Sequence, residues 1–274
     1  MADTLDTGTP DLLAHLEDGV LTLTLNRPAA RNAMSRAMNE ALARRLAEAE
    51  LDPRVRCVVL TGAGQAFCAG GDVKGMAAAN EGGAGALTLD EAIHHQRVNQ
   101  RATAGKLYRC PKPTIAALPG AAAGAGLALA LACDLRVMAS SAILTTAFAR
   151  VGFSGDYGGS YFMTRLVGAA KARELYFLSE RVSADEALRL GLANWVCAPE
   201  DLASRTQSIA RRLAAGPTVA YRYMKENLNR AANGELDDCL DLEATHHIHC
   251  GQTEDHHEAA RAFVDKREPV FKGR

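Results

Sequence analysis

The residues best suited to chemistry in this chain are one aspartate and two glycine-rich turns. Asp156 stands within the run Gly155-Asp156-Tyr157-Gly158-Gly159. The turn Cys68-Ala-Gly-Gly-Asp72 follows one predicted strand, and the turn Gly124-Ala125-Gly126 lies between another predicted strand and a helix. Each turn can expose backbone N–H groups where the chain leaves a strand.

Two N–H donors from separate turns are what an oxyanion hole needs, for example to hold a thioester carbonyl oxygen that becomes negative in an enolate. A carboxylate in an apolar cleft can have its pKa raised enough to act as both base and acid, and Asp156 is the candidate. Two simpler interpretations stay open. Asp156 could be the N-cap of a helix over 157–166, and the glycines could only permit tight turns and close packing.

A dinucleotide site at the second turn is excluded by the sequence. The third glycine of G-x-G-x-x-G would fall at Leu129, and no acidic residue follows at the required distance.

The overall charge of the chain does not indicate a class of binding partner, so partners have to be inferred from individual sites. The 274 residues suffice for one large α/β domain, and the net charge of −1 favours neither nucleic acid nor an anionic membrane. Seven widely spaced cysteines without a C-x-x-C pair predict reduced, buried thiols and a cytoplasmic location. The polar N-terminus and the lack of eighteen consecutive apolar residues predict neither secretion nor membrane spanning.

The first elements that must position these residues follow from hydrophobic periodicity. Alternating residues on both sides of Asp18-Gly19 predict a β-hairpin over 12–25. The spacing after Ser35 predicts a helix that ends near Asp52, and the next apolar run predicts a buried strand. That strand covers 55–61, and the further predicted elements are a helix over 90–109, a strand over 113–118, a helix over 127–133 and a strand over 134–138.

The C-terminal part contains no predicted strand beyond residue 217. Three helices are predicted there, over 217–233, 235–250 and 254–267, each with suitable start and stop residues. The small, glycine-rich residues 77–86 predict a mobile surface loop that either closes over a site or frays.

The histidines suggest a metal site only weakly. His246, His247, His249, His256 and His257 are expected on two solvent-facing helices that lack H-x-x-x-H spacing, so no metal is predicted. His94 and His95 are candidates for the border of a pocket or for a simple surface pair.

Four motifs in the same order resemble the crotonase, or enoyl-CoA hydratase/isomerase, superfamily, and the resemblance runs from about residue 10 to the C-terminus. They are Phe67-Cys-Ala-Gly-Gly-Asp-Val-Lys74, the segment from Ile115 to Asp134, the segment from Gly152 to Gly159, and Ala262-Phe263-Val-Asp-Lys-Arg-Glu-Pro-Val-Phe271.

This resemblance implies an α/β fold of repeated β-β-α units, with an acyl-CoA-binding core over 10–200 and a helical trimerisation region over 201–274. It also implies a homotrimer or a dimer of trimers, an acyl-CoA thioester as substrate and no separate cofactor. The implied oxyanion donors are the N–H groups of Gly71 and Ala125, where alanine replaces the usual glycine. The implied CoA-contacting residues are Arg31, Ala33, Ala69, Gly70, Gly71, Asp72, Val73, Phe263 and Lys266.

Departures from the family pattern favour one reaction over another. Family hydratases carry two glutamates that activate water, and the matching positions here are Ala128 and Phe148, which cannot transfer a proton. Asp156 matches the acid of the enoyl-CoA isomerases and of the 1,2-epoxyphenylacetyl-CoA isomerase type. An isomerase of enoyl-CoA, acting by a double-bond shift or a ring isomerisation through a thioester enolate with Asp156 as proton shuttle, is therefore predicted. The alternatives are a hydratase, a hydrolase or dehalogenase at the same site, and a non-catalytic CoA-binding or RNA-binding protein.

Overall fold

A β-hairpin opens the fold in the computed structural model, which describes residues 3–72 and 87–274. Strands β2 (Leu12–Glu17) and β3 (Val20–Leu25) pair antiparallel around Asp18 and Gly19, whose φ angles are +50° and +77°. Positive φ at both central residues is the turn geometry that matches the twist of the flanking strands. The hairpin prediction is confirmed.

The hairpin belongs to a seven-stranded sheet that forms the centre of the fold. From β3 onward its neighbouring strands are parallel, and its central strands are buried, which explains their continuous apolar sequence. In spatial order the sheet contains β1 (Asp3–Leu5), β2, β3, β4 (Cys57–Gly62), β6 (Thr114–Leu118), β8 (Leu135–Ala139) and β11 (Trp195–Cys197).

A second sheet, which the sequence pattern did not predict, brings the two glycine-rich turns together. It contains, in spatial order, β10 (Val182–Ser183), β9 (Ile143–Thr145), β7 (Ala121–Ala123) and β5 (Ala66–Cys68). Strands β5 and β7 are parallel neighbours. Their carboxyl ends therefore lie side by side, and each leads directly into one of the turns.

The predicted helices are present with two differences in their bounds, and two further helices, over 184–189 and 202–214, were not predicted. The helices are α1 (Arg36–Leu51), α2 (Leu89–Ala102), α3 (Ala104–Arg109), α4 (Ala125–Ala132), α5 (Gly159–Leu178), α6 (Ala184–Arg189), α7 (Leu202–Ala214), α8 (Thr218–Ala231), α9 (Leu236–Cys250) and α10 (Glu254–Asp265). The helix predicted over 90–109 is broken at Thr103, whose buried hydroxyl donates to the carbonyl of Asn99 at 2.7 Å. Helix α4 begins at Ala125 rather than Leu127.

The three predicted C-terminal helices are present as α8 to α10. Helix α8 is tied to the sheet by the ammonium of Lys225, which lies 2.8 Å from Asp134 Oδ2 and 3.1 Å from the Leu107 carbonyl oxygen. Helix α7 precedes them and packs on the larger sheet through buried residues that include Leu202 and Ala210. The division of the chain into an acyl-CoA-binding core over 10–200 and a helical trimerisation region over 201–274 stays a prediction.

Two sequence expectations concern features outside the sheets. The loop predicted over 77–86 lies outside the described residues. Among the described helices, none has the length and apolar character needed to cross a bilayer.

Candidate active site

The two glycine-rich turns approach each other so closely that side chains would not fit between them. A Cβ atom placed on Gly70, whose φ is +92°, would lie 2.9 Å from the Ala123 carbonyl oxygen and 3.4 Å from the Ala125 nitrogen. A Cβ atom on Gly126 would lie 2.5 Å from the Cys68 carbonyl oxygen. Glycine is therefore required for close packing, and this packing sets the Gly71 and Ala125 segments next to each other.

The backbone directions at these turns suit an oxyanion hole. Met34 N–H donates to the Gly70 carbonyl at 2.8 Å, and Met34 and Gly71 form a parallel bridge. Since N–H groups alternate in direction along an extended chain, the Gly71 N–H points away from Met34. Ala125 is the first residue of α4, so its N–H has no partner within the helix and lies at the positive end of the helix dipole.

Asp156 lines the same cleft as Gly71, a cavity of about 680 Å³ between α1, α2 and the turn before α5. Its Oδ1 is shielded from solvent and has no hydrogen-bond partner. Burial raises the pKa of Asp156 to about 6, because the carboxylate loses hydration without gaining a compensating charge. The alternative assignment as an N-cap is wrong, because Gly158 is the N-cap of α5 and no side chain caps that helix.

The residue after Asp156 is held in an unusual backbone conformation by a side chain of α2. Tyr157 has a φ of +49°, which is costly for a residue with a side chain. Its N–H donates to Gln100 Oε1 at 2.6 Å, and its hydroxyl accepts from Asn39 Nδ2 at 3.3 Å. These two contacts fix the chain beside Asp156 and so help to place its carboxylate.

For the enoyl-CoA isomerisation that the sequence predicts, we expect Gln100→Leu to lower kcat about tenfold with little change in KM. The Tyr157 N–H loses its acceptor in this variant, and the carboxylate of Asp156 is then positioned less accurately. Gln100→Glu keeps an acceptor and should restore most of kcat, while its negative charge raises the pKa of Asp156. Steady-state kinetics between pH 5 and 9 would measure both effects. An unchanged kcat in Gln100→Leu would contradict this positioning role.

Aromatic and small residues take the places of the two hydratase glutamates. Ala128 is buried, and its Cβ would be 3.3 Å from a Cβ placed on Gly159. Phe148 is also buried and stacks on Tyr176, with ring centroids 5.8 Å apart. Burial, with the nearby Asp156 charge as a second cause, raises the pKa of Tyr176 to about 12, so its hydroxyl stays protonated. Ala128, Phe148 and Tyr176 therefore pack against Gly155 and Gly159 and bring no second carboxylate to the turn that carries Asp156.

Among the described residues that line the cleft, Glu40 is the second carboxylate. The Glu40 side chain is 60% exposed and pairs with Arg36 at 2.7 Å. A solvated, paired carboxylate of this kind is poorly suited to proton transfer with a buried substrate. His94 and His95 line the cleft and are both exposed, so the structure agrees with both sequence interpretations of this pair.

The structure brings most of the implied CoA-contacting residues into one strip. Ala69 N–H donates to the Arg31 carbonyl at 2.9 Å, and the Met34 bridge to Gly71 places Ala33 beside the same turn. Val73 lies outside the described residues. Phe263 and Lys266 are in a different region, in and just after α10, and Phe263 is 86% exposed.

Asp72 and Arg27 form an ion pair, which the sequence analysis did not predict. Both terminal nitrogens of Arg27 lie 3.0 Å from Asp72 Oδ2, and one of them also donates to the Ala33 carbonyl at 2.7 Å. The pair joins the two segments of the CoA strip. It gives Asp72 a bracing role on this strip in addition to the implied contact with CoA.

The C-terminal histidines are not all solvent-facing, which corrects the sequence expectation. His246 is buried, its Nδ1 lies 2.6 Å from Asn227 Oδ1, and its ring stacks on Tyr223 at 4.3 Å. His246 therefore has a structural role in the α8–α9 contact. Within residues 3–72 and 87–274 no three potential ligand side chains gather around a metal position.

Sequence reasoning missed Asn39, Gln100, Tyr157 and Tyr176 as residues of this site. Asn39, Gln100 and Tyr176 belong to it through tertiary contacts with residues that are far away in the chain. Only Tyr157 had a local signal, which was its position next to Asp156 within a glycine-rich turn.

The chain is similar in sequence and in fold to known proteins. The family model for enoyl-CoA hydratase/isomerase matches residues 15–274. The 1,2-epoxyphenylacetyl-CoA isomerase of Escherichia coli is 38% identical over an alignment that covers 96% of this chain and 98% of the relative. The short-chain-enoyl-CoA hydratase of Clostridium acetobutylicum is 33% identical over 94% of this chain and 95% of the relative. A crystal structure of a putative enoyl-CoA hydratase from Streptomyces coelicolor superposes with a TM-score of 0.91 at 36% identity, covering 96% of this chain and 94% of that one. The chain belongs to the enoyl-CoA hydratase/isomerase (crotonase) family of enzymes.

Proposed function

We propose that this enzyme isomerises an enoyl-CoA thioester and that Asp156 carries the proton. The observation that supports this most directly is the shielded, unpartnered Oδ1 of Asp156, in the same cleft as Gly71, with a pKa of about 6. A carboxyl group with this pKa exists in both protonation states near neutrality, as a group that takes and returns a proton requires.

The reaction proceeds in two balanced proton transfers. The Asp156 carboxylate removes a proton from C2 of a 3-enoyl-CoA, and the electron pair of the broken C–H bond delocalises into the thioester as a dienolate. The N–H groups of Gly71 and Ala125 hold the negative oxygen. The Asp156 carboxyl group then returns the proton to C4, which gives the 2-enoyl-CoA and restores the carboxylate.

The residues packed against the turn that carries Asp156 favour isomerisation over hydration. Water addition needs a second group to orient and activate the water, and the side chains at Ala128 and Phe148 are apolar. Of the relatives, the E. coli protein bears the name of an isomerase, while the C. acetobutylicum protein bears the name of a hydratase. We therefore rest the choice on the chemistry of the residues in this chain.

Paired assays with trans-3-enoyl-CoA and trans-2-enoyl-CoA test the proposal. We expect the 3-enoyl substrate to gain conjugated ultraviolet absorbance without a change in mass. A gain of one water from the 2-enoyl substrate, with no isomerisation of the 3-enoyl substrate, would contradict the isomerase assignment.

The pH dependence of this reaction should report the ionisation of Asp156. Because the carboxylate is the form that starts the reaction, kcat/KM should fall about tenfold per pH unit below pH 6 and level off above it. An aspartate with its ordinary pKa would stay fully active down to about pH 5. Initial rates between pH 4.5 and 8, with the protein checked for folding by circular dichroism, would distinguish these profiles.

We propose three further features of the enzyme, which are its CoA-binding surface, its assembly and its location. CoA binds along the strip formed by Arg31, Ala33 and the turn over 69–73, with Phe263 and Lys266 contacting the CoA of a neighbouring subunit. The enzyme assembles as a homotrimer or a dimer of trimers, and the exposed apolar residues Leu236 and Ile248 of α9 support this assembly. All seven cysteines are unpaired, which supports a reducing, cytoplasmic location.

A further inference from the structure

The ring of Phe148 lies between the turn that contains Ala125 and the turn that contains Asp156. A Cβ atom placed on Gly124, the residue before Ala125, would lie 3.5 Å from Phe148 Cε1. A Cβ atom placed on Gly155, the residue before Asp156, would lie 3.8 Å from Phe148 Cδ2. Both distances are those of ordinary van der Waals contact. Because Cε1 and Cδ2 are at opposite corners of the ring, Phe148 contacts one turn with one edge and the other turn with the opposite edge.

A second ring supports the first one beneath the turn that carries Asp156. Tyr176 of α5 stacks on Phe148 with an angle of 23° between the ring planes. A Cβ atom on Gly155 would lie 3.0 Å from Tyr176 Cε1, and one on Gly159 would lie 2.6 Å from the Tyr176 hydroxyl oxygen. Glycine at these two positions thus allows the tyrosine ring to pack directly against the backbone on both sides of Asp156.

Hydrogen bonds hold the two rings in place relative to each other. The Thr146 hydroxyl donates to the Leu175 carbonyl at 2.8 Å and lies 3.1 Å from the Ser179 hydroxyl, which ties the segment before the first ring to the helix that carries the second. Thr146 and Ser179 are both buried, where a hydrogen bond is stronger than in water. The Thr145 carbonyl of the same segment accepts from the Gly124 N–H at 3.1 Å. The stacked rings and the Ala125 turn therefore belong to one hydrogen-bonded unit.

Isomerisation of an enoyl-CoA needs a fixed separation between the base and the oxyanion donors. The proton that Asp156 removes is on C2, which is bonded directly to the thioester carbonyl carbon. Since the oxyanion donors hold the carbonyl oxygen, any movement of the Asp156 turn relative to the Ala125 turn changes the distance between the carboxylate and C2. A displacement of about 1 Å can lower a rate about 10²-fold. A close-packed aromatic ring between the turns resists such a displacement.

We propose that Phe148 and Tyr176 are positioning residues, a stacked aromatic spacer that sets the distance between the Asp156 carboxylate and the oxyanion donors. Phe148 then has a function of its own at a position where family hydratases carry a glutamate. This inference rests on the proposed function, because the distance matters only if Asp156 and the oxyanion donors act on the same thioester.

A double-mutant cycle with Asp156→Asn tests whether the spacer acts through the base. We expect Phe148→Leu and Tyr176→Leu each to lower isomerase kcat about 10- to 100-fold, while KM changes less than about threefold. Tyr176→Phe keeps the ring and should restore most of kcat. In the Asp156→Asn background, Phe148→Leu should lower the residual rate less than about twofold, because a residue that acts through the carboxylate has nothing left to position.

Two further variants guard against a general effect on folding. Phe177→Leu is the matched control for Tyr176→Leu, because it makes an aromatic-to-leucine change one position along α5, where the ring is 75% exposed. Its kcat should stay within about twofold of the wild type. Phe148→Met fills most of the volume of the ring with a flexible side chain and should still lower kcat at least about threefold. It replaces Phe148→Leu in the cycle if circular dichroism shows that the leucine variant does not fold.

The possible results separate this inference from the proposed function. Unchanged kcat in the folded Phe148 and Tyr176→Leu variants would overturn the spacer, while the loss in Asp156→Asn would leave the proposed function intact. Equal fold losses from Phe148→Leu in the wild-type and Asp156→Asn backgrounds would also overturn it, because the ring would then act without the base. If the wild type does not isomerise a 3-enoyl-CoA, the proposed function fails and the spacer fails with it.

Discussion

Replacing Asp156 by asparagine is expected to reduce isomerase kcat by about 10²- to 10⁴-fold, the range associated with loss of a positioned general acid–base group. Asparagine has nearly the same shape as aspartate but cannot take up a proton at neutral pH. Because Oδ1 of Asp156 has no protein partner, the substitution breaks no hydrogen bond at that atom. Stopped-time assays with product identification by mass would measure the residual rate.

The same variant should be more stable than the wild type at pH 8. In the folded protein the pKa of Asp156 is raised to about 6 from an ordinary value of 3.8, so the folded state binds the proton more tightly than the unfolded state. The buried carboxylate therefore lowers the free energy of unfolding. This destabilisation is fully present above pH 6 and disappears below pH 4. Asp156→Asn should therefore raise Tm at pH 8 and have little effect near pH 4.

Glu40→Gln is the matched control for this experiment, because Glu40 is the second carboxylate among the described residues of the cleft. Glu40 is exposed and paired with Arg36, so we expect kcat to stay within about threefold of the wild type. Full activity of Asp156→Asn in a folded protein would refute the proton-transfer role. Equal losses in both variants would indicate a general effect of cleft charge instead.

How far the sequence predicts the fold depends on how local the signals are. The hairpin over 12–25 and the helix after Ser35 were predictable because turn geometry and capping act between residues close in the chain. The Ser35 hydroxyl, for example, accepts from Met38 N–H at 3.1 Å. The smaller sheet was not predictable from periodicity, since its strands have only two or three residues each.

The same distinction explains what was predicted of the site. Asp156 and the two turns carry recognisable residue types in short runs, so their chemistry could be proposed from the sequence. Gln100 and Asn39 act on Tyr157 from 57 and 118 positions away in the chain. Nothing local distinguishes them from other amides. His246 shows the opposite error, because a cluster of histidines suggested exposure where one of them packs on a tyrosine.

The thiol nearest to the oxyanion turns is better understood as packing than as a nucleophile. Cys68 is fully buried, and desolvation raises the pKa of its thiol to about 12. Its sulfur accepts a hydrogen bond from the Gly70 N–H at 3.4 Å. Cys68 thus helps to shape the first turn, and it packs against the second turn at Gly126, where an added Cβ atom would lie 2.7 Å from the Cys68 sulfur.

That contact makes Gly126→Ala the most direct perturbation of the oxyanion hole. The new methyl group would lie 2.5 Å from the Cys68 carbonyl oxygen and 2.6 Å from Cys68 Cβ, so the start of α4 must move and carry the Ala125 N–H with it. Loss of one oxyanion donor is expected to lower kcat about 10²- to 10³-fold. Ala125→Gly keeps the N–H and should retain at least about a third of kcat.

The control substitution for Gly126→Ala is Gly251→Ala, where the nearest atom to the new methyl group would be 3.3 Å away. Kinetics should be read together with calorimetric binding of a saturated acyl-CoA, because an oxyanion donor stabilises the enolate more than the ground-state thioester. We therefore expect binding by Gly126→Ala to change less than fivefold while kcat falls. Unchanged kcat in the folded variant would mean that the Ala125 N–H does not hold the enolate oxygen. A parallel loss of binding and kcat would mean that the displaced turn shapes the pocket without acting on the transition state.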